Sequence, residues 1–278
     1  MSARPQRSSV LPVTLGALVL LAWLALWLWH GSPYGRYLHH AGPASLDLDG
    51  EPGGAAAEAA VYVAGWLLMT VAMMLPTTFP LLEIFHRMTG SRGDRVELLS
   101  LVIAGYLAVW LAFGIAAHAV DLALHEVVDG SEWLRGHAWA LGAAPLLLAG
   151  TFQFTRLKYR CLDKCRAPLS FVVQHWRGGN APAQALRLGA HHGAFCVGCC
   201  WALMLLMFAV GAGNLGWMLA LGGVMAVEKN ARWGRRISAP LGVALLLWGV
   251  AVLASNGSSL AGVGTDAGPD DALICRAR

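Results

Sequence analysis

The 278-residue chain is short of charge: Asp, Glu, Lys and Arg make up 13% of it, about half the share usual in a soluble globular domain. That shortage excludes a water-facing surface over most of its length. Also missing is a basic surface interleaved with aromatic rings, so nucleic acid is not a partner. There is no Gly-x-Ser-x-Gly, no phosphate-binding glycine loop and no His-Glu-x-x-His, and no helix face pairs two carboxylates, so no enzyme constellation is recognisable. The first apolar run lacks a small-x-small cleavage site and is too long for a signal peptide, so it reads as an uncleaved helix.

Apolar residues are plentiful, at 57% of the chain, and they come in runs. A bilayer core about 30 Å thick takes roughly 20 apolar residues per spanning helix. Seven segments approach that length: Leu11–Trp29, Ala59–Leu82, Leu98–Val120, Ala138–Phe154, Gly193–Val210, Leu215–Val227 and Ile237–Ala254. The fourth and sixth are short, and the sixth can pair with the fifth as a hairpin through Gly211-Ala212-Gly213-Asn214. The expected fold is all-α, a polytopic transmembrane bundle. It forms a single membrane domain over residues 1–254, with an outer loop at 30–58, a basic cytoplasmic loop at 155–190 and a flexible outer tail at 255–278.

Charge sets the expected orientation. On the seven-helix reading 16 of the 20 basic residues fall on one side, which the positive-inside rule makes cytoplasmic. They are Arg4 and Arg7, then Arg87, Arg92 and Arg95, then Arg156, Lys158, Arg160, Lys164, Arg166, Arg177 and Arg187, and finally Lys229, Arg232, Arg235 and Arg236. Asp47, Asp49, Glu51, Asp121, Glu126, Asp129, Asp270 and Asp271 fall opposite. The N-terminus is therefore inside and the C-terminus outside, in a bacterial cytoplasmic membrane.

Five of the six cysteines gather at that inner face. Cys161 and Cys165 lie in the basic loop, as i, i+4 neighbours if it is helical. Cys196, Cys199 and Cys200 follow His191 and His192. At about 100° per residue, with His192 at zero, Cys196 falls near 40°, Cys199 near −20°, Cys200 near 80°, Met207 near 60° and Met204 near 120°. One face thus carries an imidazole, three thiols and two thioethers. The cytoplasm keeps thiols reduced. Soft thiolate and thioether donors select Cu(I), and thiols with imidazole also suit zinc. Lys164 and Arg166 are expected to favour the thiolates. The pattern is not that of a zinc finger, and three readings stay open: a Cu(I) or zinc site, a redox thiol pair, or packing.

Several blocks resemble a bacterial family of predicted metal-binding integral membrane proteins, some of whose members are labelled copper chaperones. The blocks are Ala72-Met73-Met74-Leu75-Pro76, Gly150-Thr151-Phe152-Gln153, Cys161-Leu162-Asp163-Lys164-Cys165, Trp176-Arg177-Gly178-Gly179, Cys196-Val197-Gly198-Cys199-Cys200-Trp201 and Glu228-Lys229. The resemblance covers residues from about 60 to 250. It implies a metal site at the cysteines and His192. Where the family often has Pro-Met, this chain has Pro80-Leu81.

Other polar groups expected at the depth of the cysteines are His86, Glu228, Glu83 and Gln153, the first two as further candidate ligands with Met204 and Met207. Met69, Met73 and Met74 extend a soft path, although methionine is also a common core filler. His118 reads as packing. Leu169, Phe171, Val172, Val173 and Trp176, set among basic groups between Pro168 and Gly178-Gly179, read as a helix lying in the inner interface. Such a helix would press Cys161 and Cys165 onto the start of the fifth segment. The expected partners are the lipid bilayer, a metal ion and a metal donor or acceptor protein.

Overall fold

The structure is a computed structural model and describes residues 10–30, 54–132, 138–177, 179–210 and 215–263. Among the described residues there are helices and turns and no strand. The α-helices are α1 Val10–His30, α2 Gly54–Met73, α3 Phe79–Met88, α4 Arg95–Asp129, α5 Ala138–Phe152, α6 Arg156–Cys165, α7 Pro168–His175, α8 Ala181–Val210, α9 Leu215–Asn230 and α10 Ser238–Val263. The expected all-α class is met. The outer loop through residue 53, the 211–214 turn and Cys275 lie outside the described residues.

Four helical stretches are long and apolar enough to cross a bilayer: Leu11–His30, Arg95–Val128, Ala181–Met207 and Gly234–Ser255. A fifth results if Ala60–Met73 and Leu75–Met88, bent by 46°, make one span. The second segment is therefore broken where one helix was expected. Pro76 and Pro80 have no N–H to give the helical ladder, and the chain turns through a short 3-10 helix, Leu75–Thr78. Thr77 and Thr78 turn their hydroxyls back to the carbonyls of Met74 and Leu75, at 2.7 and 2.8 Å. Met74, the residue just before this break, belongs to the site described below.

The basic stretch 155–190 is also more ordered than a loop. It holds α6, α7 and the first turns of α8, which starts at Ala181 instead of Gly193. The expected interfacial helix is α7. It buries Phe171 and Val172 and exposes Leu169 and Val173. Phe171 packs edge-on to His192, with ring centroids 5.5 Å apart.

Glycines set the helix pairing. A Cβ on Gly189 would stand 1.9 Å from the Val102 carbonyl oxygen, one on Gly105 2.2 Å from that of Leu186, and one on Gly193 3.1 Å from that of Tyr106. From Val102 with Gly189 to Tyr106 with Gly193 the contacts advance four residues on both helices, so α4 and α8 run parallel at backbone contact. Small residues permit such approach between membrane helices. In contrast, Gly150 meets Leu246, Gly249 meets Leu147 and Gly242 meets Gln153, so α5 and α10 run antiparallel. The core centres on α8 with α2, α4, α6 and α9 around it.

Candidate metal centre

The helical spacing expected along α8 is realised. His192, Cys196, Cys199, Cys200, Met204 and Met207 are all buried, the three thiols to 1% exposure or less. Opposite them stands α6, capped by the Thr155 hydroxyl, which accepts from the Lys158 N–H at 3.2 Å. Cys161 and Cys165 lie one turn apart on it. The Cys161 sulfur occupies the space over Gly198, where a Cβ would come within 2.7 Å. The Cys165 thiol meets that of Cys199. The two cysteine groups, some 30 residues apart in sequence, thus converge, and all five thiols are free.

At the centre lies a group to which the sequence assigned no role. The Lys229 Nζ, near the end of α9, donates to the Cys196 sulfur at 2.9 Å and to the Thr77 hydroxyl at 3.3 Å. It also stands 3.7 Å from the Cys200 sulfur and 3.8 Å from the Met74 sulfur. Cys200 and Met74 are themselves 3.8 Å apart. The Tyr106 hydroxyl completes the shell, 3.1 Å from the Cys196 sulfur and 3.4 Å from the Met74 carbonyl. Among the described residues no carboxylate meets Lys229, so the ammonium is surrounded by soft donors. Burying a charge this way is costly without compensating partners, and here the partners are three sulfurs and the Thr77 hydroxyl.

Glu228, beside it in sequence, faces elsewhere. Its carboxylate accepts from the Lys158 ammonium at 2.9 and 3.0 Å and from the Ser238 hydroxyl at 2.7 Å. These bonds occupy both oxygens and tie α6 to α9 and α10. Arg166 donates to the Glu228 and Arg232 carbonyls, and Lys164 is exposed. The expectation that these two cations favour the thiolates of α6 is therefore corrected. Burial pushes the Cys161 thiol up, with Cys199 adding to it, and hydrogen bonding to Cys199 raises that of Cys165. The cation among the thiols is Lys229.

The remaining candidates are dispersed. The His192 ring lies against Tyr106 and Phe171, and its Nδ1 has no hydrogen-bond partner among the described residues. His86, half-buried at the end of α3, has an equally unsatisfied Nδ1. Glu83 pairs with Arg87 on the same helix. Gln153 is fully buried with its amide unpartnered among the described residues. His118 stacks on Tyr62 at 4.1 Å, the packing role expected.

Among the described residues no group of three or more His, Cys, Asp or Glu side chains is poised to hold a metal ion. The donors that converge on Lys229 are two thiols and a thioether, soft donors of the kind that suit Cu(I). Lys229 and Tyr106 were not foreseen because each resembles an ordinary residue of its segment. A lysine ending a helix at the inner face satisfies the positive-inside pattern, and a tyrosine in an apolar run reads as core.

A family model described as copper chaperone, PpoB2, matches residues 63–252. No curated protein and no solved structure matches the chain. The match and the apolar helices together fit a membrane-associated, copper-related protein.

Proposed function

We propose that this chain, which belongs to the copper chaperone family PpoB2, is a multi-pass membrane protein that takes up Cu(I) at its Cys/Met cluster and passes it to a partner protein. The observation that carries the reading is the Lys229 ammonium, which lies within 3.8 Å of the Cys196, Cys200 and Met74 sulfurs. A monocation already sits where soft donors converge, and Cu(I) is a monocation that prefers those donors. Cys199 and Cys165 lie next to that centre, with Cys161 beyond. Sulfur ligands so arranged let an ion move by exchanging one thiolate at a time. His192 lies one turn along α8, and Met204 and Met207 continue the face. Glu228 is left as a structural anchor.

On this reading the chain makes the seven expected spans, with the N-terminus inside and the C-terminus outside, which puts the cluster at the cytoplasmic face. Parallel α4 and α8 need one return crossing between them, which α5 supplies although it is short. Antiparallel α5 and α10 accord with the same path. The single membrane domain and the bacterial inner membrane belong to the same reading, with α10 running on to Val263, past the boundary expected at residue 254.

Elemental mass spectrometry of the purified, full-length protein tests the reading. Stoichiometric copper in the wild type and its loss in Cys196→Ser/Cys200→Ser are expected. Copper retained by the double variant, or no metal in the wild type after reconstitution under reducing conditions, would refute it. One contact favours a second reading, a reversible thiol pair: Cys165 and Cys199 face each other.

A further inference from the structure

Beside the thiol cluster, at the same end of the bundle, the structure has a cavity of about 610 Å³. Its walls come from α6, through Tyr159, Asp163 and Arg166, and from the turn between α9 and α10, through Arg232, Arg235, Arg236 and Ala239. Four guanidinium groups therefore face one carboxylate. Arg235 shares its charge with Asp163 at 3.3 Å and lies 5.1 Å over the Tyr159 ring. Arg166 is braced by two backbone carbonyls. Arg232 and Arg236 are exposed and meet no carboxylate among the described residues. Gly234 makes the turn possible, because a Cβ there would stand 2.1 Å from the Val227 carbonyl oxygen.

We propose that this cavity binds the phosphate of an anionic phospholipid headgroup. Guanidinium forks match phosphate oxygens bidentately, and basic pockets between membrane helices at the cytoplasmic side hold anionic headgroups. What distinguishes a lipid from free phosphate is the surface that leads away from the cavity. Ala239 lines it on the first turn of α10, and Val243, Leu247 and Val250 follow at spacings of four, four and three residues. At about 100° per residue these share one face. The last three are 48%, 66% and 55% exposed, an apolar track for an acyl chain that starts at the arginines. Trp233, next to Arg232 in the chain and 58% exposed, is the residue type that sits at headgroup depth. The proposal rests on the membrane reading and is independent of copper.

The test is native mass spectrometry and thermal melting of the full-length protein with added cardiolipin, phosphatidylglycerol, phosphatidylcholine or inorganic phosphate. Wild type should retain the two anionic lipids and melt higher with them, and phosphatidylcholine should do neither. Arg232→Gln/Arg236→Gln should weaken anionic lipid retention by about tenfold or more, the loss of two basic groups at a headgroup. Arg156→Gln/Arg160→Gln, which removes two exposed charges of α6 outside the cavity, should leave it unchanged. Equal losses in both double variants, or equal retention of phosphatidylcholine, would overturn the site. Protection by inorganic phosphate equal to that by lipid would overturn the lipid assignment. If Arg232→Gln/Arg236→Gln lowers the melting temperature in the absence of lipid, Leu247→Ser serves as the second probe, because it leaves every arginine of the cavity in place. That change should weaken cardiolipin retention without affecting phosphate, and no effect on cardiolipin would overturn the proposal.

Discussion

The Lys229 ammonium lies 2.9 Å from the Cys196 sulfur, inside an apolar cluster built by α2, α4, α8 and α9. A Cu(I) ion bound by Cys196 and Cys200 has to displace it. Two monocations about 4 Å apart repel by about 4 kcal/mol at an effective dielectric near 20. Lys229→Met removes that competitor and adds a soft donor. Cu(I) binding should tighten by about tenfold or more, read by competition with a chromogenic Cu(I) chelator. Weaker binding in the variant would show that the lysine serves to hold the thiolate and does not stand in for the ion.

Met74 stands at the end of the helical course of α2, its N–H bonded to the Thr70 carbonyl, just before the chain breaks at Pro76. Its sulfur is 3.8 Å from that of Cys200. Met74→Leu keeps volume and apolarity, and swaps of this kind usually cost less than about 1.5 kcal/mol. The variant should therefore fold and melt close to wild type while binding Cu(I) about tenfold more weakly, as expected for losing one soft donor. Unchanged affinity would remove Met74 from the ligand set.

How much of this was legible in the sequence depends on the range of each contact. The face of α8 was, because i, i+4 and i+3 spacing is a local property of a helix, and His192, Cys196, Cys199 and Cys200 all turned inward as their angles required. The helix α7 was also readable, from the apolar residues between Pro168 and Gly178-Gly179, whereas α6 was expected only as part of a basic loop, since Cys161 and Cys165 share a face only if that stretch is already helical. The break at Met74 was only half visible: Pro76 and Pro80 are plain in the sequence, but membrane helices often carry proline without turning. The roles of Lys229, Tyr106 and Lys158 were not legible at all. Each is defined by contacts 29 to 155 residues away in the chain, and no local pattern encodes which buried cation meets a thiol and which meets a carboxylate. Glu228 and Lys229 are adjacent and face opposite partners, and helix geometry alone does not say which partner each finds.

The thiols of Cys165 and Cys199 face each other across α6 and α8. Thiolate attack on an oxidised partner needs such proximity. Mild oxidation of the metal-free protein should give a reducible cross-link between them, detected as a linked peptide after digestion. Prior loading with Cu(I) should suppress it, because sulfur bound to the ion is no longer free to pair. A cross-link formed equally with and without copper would place these two thiols outside the copper path.

Lys158 and Glu228 form an ion pair with 0% and 3% of their side chains exposed. Removing one partner of a buried pair typically costs about 3–5 kcal/mol, since the other charge is stranded. Glu228→Gln should therefore lower the melting temperature sharply. Lys158→Met/Glu228→Leu should recover most of the loss, because replacing both partners by apolar groups is often neutral. Melting followed by circular dichroism in detergent checks this. If the double variant is as unstable as the single one, Ser238 and the chain around it depend on the carboxylate itself.

The parallel contact of α4 and α8 rests on glycines whose missing Cβ leaves room for a backbone. A Cβ on Gly189 would come within 1.9 Å of the Val102 carbonyl oxygen, and backbone cannot give way as a flexible side chain can. Gly189→Ala must therefore push α8 off α4 and carry Cys196 away from Tyr106, whose hydroxyl is 3.1 Å from its sulfur. Overpacking of this kind costs typically about 1–3 kcal/mol. The expected result is a lower melting temperature together with weaker Cu(I) binding. Gly223→Ala serves as the control, since a Cβ there meets nothing within 4 Å. It should leave both measurements unchanged or raise stability slightly, because alanine is the better helix former. If Gly189→Ala behaves like Gly223→Ala, the two helices do not pack at backbone distance.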